Sequence, residues 1–318
     1  MYICSMSIPF SKPNIEEVRA LIQRELKDIP LEQLAIQAPE GFKIDPIYLS
    51  SEKQVNIPFS LDYRVIFQMT NLDLNAISAS NQALIKSLEQ GQNGILLNFN
   101  HLDWNLTQLS DLFTDIRLDY IHTEFLNLSE VTERSISEFL QKYPHPLLWS
   151  HTALSAHVYC ISDDQFATES ARLIQSLNGK KAFIHIELSG NYFRDIAKIR
   201  AFKTILFQHA KLEGYSPEYV IIGETSLKNK TVENKENNIL KLTTESMAAM
   251  IGGCEGLWIK PHDNEMDSEF SQRIARNIFH LMQEEAYLHI VSDVSNGSYF
   301  IENYSEQMAR EIYRVLSA

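Results

Sequence analysis

Four short constellations in this 318-residue chain bring together the side chains most often used in catalysis: His122 with Glu124, His185 with Glu187, Glu224 with Thr225, and His262 with Asp263. Histidine and carboxylate are the usual ligands of a zinc-like ion and the usual carriers of protons in hydrolysis. One reading is therefore a metal-dependent hydrolase or a small-molecule binder. A blander reading stands beside it. His-x-Glu spacing puts both side chains on one face of a strand without saying which face, and ten histidines in one chain produce such pairs by chance. On that reading the histidines are solvated or satisfied inside a core.

Other candidates carry less. Ser150-His151 and Ser155-Ala-His157 suggest a nucleophile and base, but neither serine sits in a G-x-S-x-G elbow. Gly252-Gly253 and Asn296-Gly297-Ser298 lack a phosphate-cradling pattern and read as a helix C-cap and a tight turn. Arg273, Arg276 and Asn277 fall along one stretch of helix, where they would hold a phosphate or a partner carboxylate, or simply form a buried network.

The elements that must position these groups alternate along the chain. Apolar runs of strand length lie at 64–69, 95–99, 118–122, 146–149, 158–161, 183–188, 219–223 and 256–260. Helical runs at 80–90, 133–142, 165–177, 193–209 and 237–251 fall between them. Strand and helix in alternation predict an α/β fold with a parallel sheet, and eight units predict a (β/α)8 barrel over a doubly wound sheet. His122 and Glu124 are then expected just beyond the third strand, and the remaining candidates on or beyond the sixth, seventh and eighth. One long helix is expected over 267–287 and a terminal one over 305–316.

Residues 1–58 read as a separate unit ahead of the barrel at 59–318. An amphipathic helix over 15–26 begins after Asn14, a good N-cap. The stretch 41–48, bracketed by Pro39 and Pro46, looks extended and is expected to lie as an arm on a partner surface.

Composition narrows the partners. A net charge of −13, from 41 acidic against 28 basic residues, gives no electrostatic footprint for nucleic acid or anionic lipid. Cys4, Cys160 and Cys254 form no C-x-x-C pair, which fits a reducing compartment, and no apolar run reaches the length of a membrane span. The expected location is the cytoplasm, so the triplet Asn105-Leu106-Thr107 is not expected to carry a glycan.

Several longer segments follow a known pattern. ENNILKLTTESMAAMIGG (236–253), SEFSQRIARN (268–277), Glu284-Glu285 and NGSYFIE (296–302) occur in the order found in the methylmalonyl-CoA mutase family. Upstream, FRDIAKIRA (193–201) resembles that family's F-x-x-I-A-K-I-R-A helix, and GFKIDPIY (41–48) its G-I-x-I-x-P-L-Y segment. The resemblance is specific over 183–302, whereas 60–180 agree mainly in the order of elements.

The resemblance implies a barrel that, in catalytic members, threads a coenzyme A thioester down its axis beneath a separate domain holding adenosylcobalamin. These 318 residues contain no D-x-H-x-x-G, the motif whose histidine ligates cobalt. The family's motif H-C/S-Q-T-S-G-W aligns onto 222–228, placing Ile222 at its histidine, Glu224 at its glutamine and Leu227-Lys228 at its Gly-Trp step. Thr225, Ser226 and Asn238 are retained, as are Arg200, Arg273, Arg276 and Asn277 from the flanking segments. In that family the histidine donates a hydrogen bond to the thioester carbonyl, which an aliphatic Ile222 cannot do. A carboxylate at Glu224 is further expected to repel a substrate that already carries one. The pattern resembles the small, non-catalytic subunit of heterodimeric mutases. That implies a catalytic large subunit as partner, with adenosylcobalamin on the partner and none on this chain.

Overall fold

A computed structural model describes residues 14–50, 65–142, 156–265 and 268–318. The expected strand at 146–149, both serines of the Ser-His pairs, and Asp267 lie outside the described residues.

Helix α1 (Ile15–Leu26) opens at Asn14, whose side-chain oxygen accepts from the Glu16 amide at 3.0 Å, and it buries none of its residues. After it, β1 (Ile36–Gln37) and β2 (Lys43–Ile44) pair as a short antiparallel ribbon. The seven remaining strands form one sheet in which every pairing is parallel: β3 (Val65–Asn71), β4 (Gly94–Asn98), β5 (His122–Leu126), β6 (Ala156–Ile161), β7 (Lys181–Glu187), β8 (Tyr219–Glu224) and β9 (Gly256–Trp258). Helices α2 (Ile77–Glu89), α3 (Leu106–Leu112), α4 (Glu130–Leu140), α5 (Phe166–Leu177), α6 (Tyr192–Glu213), α7 (Asn237–Gly252), α8 (Glu269–His280) and α9 (Tyr299–Leu316) complete the fold. The class is α/β, as the alternation implied. Among the described residues no helix is long and apolar enough to cross a membrane.

The sheet runs β5-β4-β3-β9-β8-β7-β6, so the first parallel strand lies beside the last, with Val65 opposite Gly256. A doubly wound sheet reverses its winding at a switch point, and the described strands show no such reversal. Alternation sorts the side chains into two sets. Ile95, Leu97 and Phe125 pack beneath α3 and α4, while Ile184, Ile186, Ile221 and Leu257 join the largest core under α5, α6 and α7. The opposite face gathers Leu96, Phe183, Val220 and Ile222 with Met69, Leu126 and Trp258. Leu96 and Phe183 stand on β4 and β7, four strand steps apart and roughly 19 Å on a flat sheet, so the sheet curls to bring them together.

Three expectations need correction. The third strand begins at His122, because Leu118–Tyr120 forms a 3-10 turn, so His122 and Glu124 lie within the strand. The helix expected over 267–287 ends at His280 and continues as one π-helical turn, Leu281–Glu285. The stretch 41–48 is not free to lie on a partner by its apolar side chains. Ile44 is fully buried in its own chain's largest core, Phe42 meets the edge of Tyr304 at 5.9 Å, and Tyr48 that of Phe300 at 6.2 Å.

Candidate functional site

The curl brings the polar residues of β5, β7 and β8 together. His185 Nε2 lies 3.0 Å from both carboxylate oxygens of Glu124, and its Nδ1 lies 3.4 Å from Glu224 Oε2. Glu224 in turn pairs with Lys260, whose ammonium stands 4.9 Å over the Trp258 ring. Trp258 also packs its ring against His185 at 5.9 Å, near perpendicular. Glu124 and His185 are all but sealed from water. Burial by itself would drive the imidazole toward its neutral form, but the Glu124 carboxylate, followed by Glu224, overrides it and raises His185 to about 10. Burial would also raise Glu224, and the hydrogen bond from His185 together with the Lys260 charge holds it below its ordinary value. Two anions and two cations thus neutralise one another inside the sheet. Glu224, expected to repel a substrate carboxylate, has its charge paired with His185 and Lys260.

An imidazolium with both nitrogens committed to carboxylates has neither a free lone pair for a metal nor a proton to exchange near neutrality. His122 shares the inward face of β5, but burial pushes it down to about 4, so it is neutral. His262 and Asp263 lie apart, in the turn after β9, where Asp263 accepts from Ser271 Oγ at 2.6 Å. Among the described residues no group of three or more His, Cys, Asp or Glu is arranged to hold a metal ion.

Ile222 lies in register with His185 on the neighbouring strand and is wholly buried in the apolar cluster with Leu96, Phe183 and Val220. Beyond it, Thr225 Oγ1 accepts from the Lys260 amide at 2.9 Å and Ser226 Oγ donates to Glu187 at 3.1 Å. Glu187 also meets Lys228, which reaches Asp164 as well, each at 3.0 Å, so the residues at the C-terminal ends of β6, β7 and β8 are latched to one another. Asn238 secures the same loop: its Oδ1 accepts from the Thr231 amide at 3.0 Å and its Nδ2 donates to the His262 carbonyl at 2.9 Å.

The other retained positions are structural or exposed. Arg200, fully buried, donates to Ser295 Oγ and Glu302 Oε1 at 2.9 Å each and to Asp293 at 2.5 Å. It thereby ties α6 to the turn and helix that carry NGSYFIE. Arg276 is buried and donates to Gln68 at 2.6 Å and to Gln90, so the buried-network alternative holds for it. Arg273 and Asn277 are exposed on α8, with the Arg273 guanidinium 5.4 Å from the Phe270 ring, and the three form no common site. Gly253 caps α7 at φ 95°, and Gly297 turns at φ 84° ahead of α9, as a C-cap and a turn require.

Two groups of polar residues escaped the sequence. Lys260 completes the interior charges and was passed over because a single lysine after a strand carries no signal. On α6, Arg194, Lys198 and Lys203 are buried beside Arg200, and they engage Glu40 and Asp163, Asp163 and Asp195, and Glu255 respectively. The one available sign was a helix whose charges follow no single polar face.

Against known proteins, residues 177–318 match the family model of methylmalonyl-CoA mutase. The methylmalonyl-CoA mutase small subunit of Porphyromonas gingivalis is 36% identical over 135 residues, which cover 40% of this chain and 22% of that protein. A probable methylmalonyl-CoA mutase small subunit of Mycobacterium bovis is 27% identical over 160 residues, covering 48% and 26%. A probable mitochondrial methylmalonyl-CoA mutase of Caenorhabditis elegans is 31% identical over 137 residues, covering 41% and 18%. The matched stretch spans only 18% to 26% of the length of these relatives. The match falls on the part of the chain where the motifs are most specific, and it supports both the family and its small subunits.

Proposed function

We propose that this chain, whose residues 177–318 carry the methylmalonyl-CoA mutase pattern, is a non-catalytic small subunit built on a (β/α)8 barrel. It braces a catalytic large subunit that interconverts methylmalonyl-CoA and succinyl-CoA in the cytoplasm. The barrel is supported by the pairing of β3 with β9 and by the curl of the sheet.

The observation that carries the non-catalytic role is Ile222. The motif's histidine position is filled by a side chain with no polar atom and no exposure, held in an apolar cluster. A thioester carbonyl placed there would gain no hydrogen bond and would lose those it made to water, a cost of about 1 to 3 kcal/mol. The interior also offers no free cation to a substrate carboxylate, because its charged groups are already spent on one another: Glu124 on His185, and Glu224 on His185 and Lys260. By the family resemblance adenosylcobalamin is assigned to the partner, and no step of the reaction is assigned to the residues of this chain.

The test is association. Co-expressed with a catalytic chain from the same genome, this protein is expected to purify as a stable heterodimer. Two chains that remain separate at micromolar concentration would contradict the assignment.

A further inference from the structure

We propose that Asn296-Gly297 is a self-modification site, at which attack by the chain's own backbone converts Asn296 to isoaspartate and loosens the hold of Arg200 on α9. The site is independent of the subunit role.

The chain carries three Asn-Gly pairs, and the fold restrains them unequally. Glycine has no Cβ, so its amide nitrogen approaches the side-chain carbonyl of a preceding asparagine with the least hindrance. At Asn93-Gly94 the approach is blocked: Asn93 Oδ1 accepts from the Ile66 amide at 2.9 Å, and Gly94 is buried at the start of β4, in register with both Phe67 and His122. At Asn178-Gly179 both residues are held in the left-handed region, at φ 38° and 77°, in the short link from α5 to β7.

Asn296-Gly297 has neither restraint. Both residues are exposed, and among the described residues no hydrogen bond reaches the Asn296 side chain or the Gly297 amide. The Ser298 amide donates to the Ser295 carbonyl at 3.1 Å, which sets the pair at the middle of a turn. Gly297 takes φ 84°, as a type II turn requires there, with no atom within 4 Å of where a Cβ would stand. The peptide between Asn296 and Gly297 can therefore swing toward the side chain in open space, without breaking a hydrogen bond of its own.

The place of the turn gives the reaction its consequence. Arg200 donates to Asp293 and Ser295 on one side of the pair and to Glu302 on the other. Ser298, the N-cap of α9, makes no side-chain hydrogen bond to the helix amides that would hold its start in place.

The chemistry needs only water. Hydroxide takes the proton of the Gly297 amide, and the nitrogen adds to Asn296 Cγ. The Cγ–N bond of the side-chain amide then breaks, and ammonia leaves with a proton from water, closing a succinimide. Water adding at the main-chain carbonyl of the ring breaks its bond to the Gly297 nitrogen. The main chain now runs through Cβ and Cγ of residue 296, one methylene longer, between the two halves of the grip of Arg200.

The experiment ages the full chain in mildly alkaline buffer and follows the three Asn-Gly peptides by mass, with isoaspartate scored by enzymatic methylation. Asn296 is expected to convert faster than Asn178, and at least about tenfold faster than Asn93, because β4 must open before Asn93 can react. Unfolding the chain first should bring the rates together. Ageing should lower the melting temperature of the parent and leave that of Asn296→Gln, whose longer side chain closes its ring far more slowly, nearly unchanged. Asn296 converting no faster than the other pairs in the folded chain, the same ratios in the unfolded chain, or isoaspartate forming with no fall in melting temperature would overturn the proposal, as would an equal fall in Asn296→Gln.

Discussion

His185 and Ile222 sit side by side, in register on β7 and β8, with both side chains turned to the inner face of the curled sheet. By resemblance, position 222 is where the mutase motif carries its imidazole. In this chain an imidazole stands one strand over, but it is locked between two carboxylates and so braces the sheet where the motif's histidine would act.

The brace is expected to matter for stability. In His185→Asn the Glu124 carboxylate stays buried without its cation while Glu224 keeps only Lys260, and breaking such a buried pair typically costs about 3 to 5 kcal/mol. The double variant His185→Asn with Glu124→Gln removes one of those charges and is expected to recover part of the loss. Urea unfolding monitored by tryptophan fluorescence measures both. A single variant as stable as the parent would contradict the brace.

Its pH dependence follows from the raised imidazole. An unfolded histidine takes its proton near 6.5 and His185 holds it to about 10. The stability it contributes is therefore full below 6.5 and is lost as pH rises from there toward 10. The difference in unfolding free energy between the parent and His185→Asn should shrink across that window. A flat difference would contradict the assignment.

His122 works in the opposite sense. Burial holds it down to about 4, so below 6.5 the unfolded chain binds a proton that the folded chain refuses. Stability is expected to fall on acidification between 6.5 and 4 by at most about 1.4 kcal/mol per pH unit from this group, and His122→Asn should remove that part of the slope. An unchanged slope would show that His122 accepts its proton in the folded chain.

Two of the segments that carry the family pattern, 193–201 and 296–302, are joined by an ion pair as well as by the contact of Phe193 with Phe300. Arg200 on α6 and Glu302 on α9 are both almost wholly buried and lie 2.9 Å apart. Arg200→Lys keeps the charge but loses the fork that reaches Ser295 and Glu302 together, and a loss of about 2 to 4 kcal/mol is expected by thermal unfolding. A melting temperature unchanged by Arg200→Lys would show that charge alone suffices.

Much of the fold was legible because most strands obey a simple rule. Residues of β7 and β8 that face the helices are Ile184, Ile186 and Ile221, so these strands read as apolar runs whatever the opposite face carries. β5 broke the rule. Its inner residues are His122 and Glu124, and Glu124 is made tolerable by His185, 61 residues away, so the apolar Leu118 and Ile121 drew the expected strand four residues upstream. α3 went unseen because seven residues span only two turns; the sign was the capping box of Asn105 and Gln108. At the site, the motif drew attention to Ile222, which the structure buries in an apolar cluster. The company it keeps was not legible, because which carboxylate meets which cation depends on the curl of the sheet, and local spacing carries no trace of it.

The most direct measurement is turnover by the isolated chain. Purified alone and supplied with adenosylcobalamin and methylmalonyl-CoA, it is expected to form no succinyl-CoA, because the residue at the proton donor's place is Ile222. Succinyl-CoA produced by this chain alone would contradict the account.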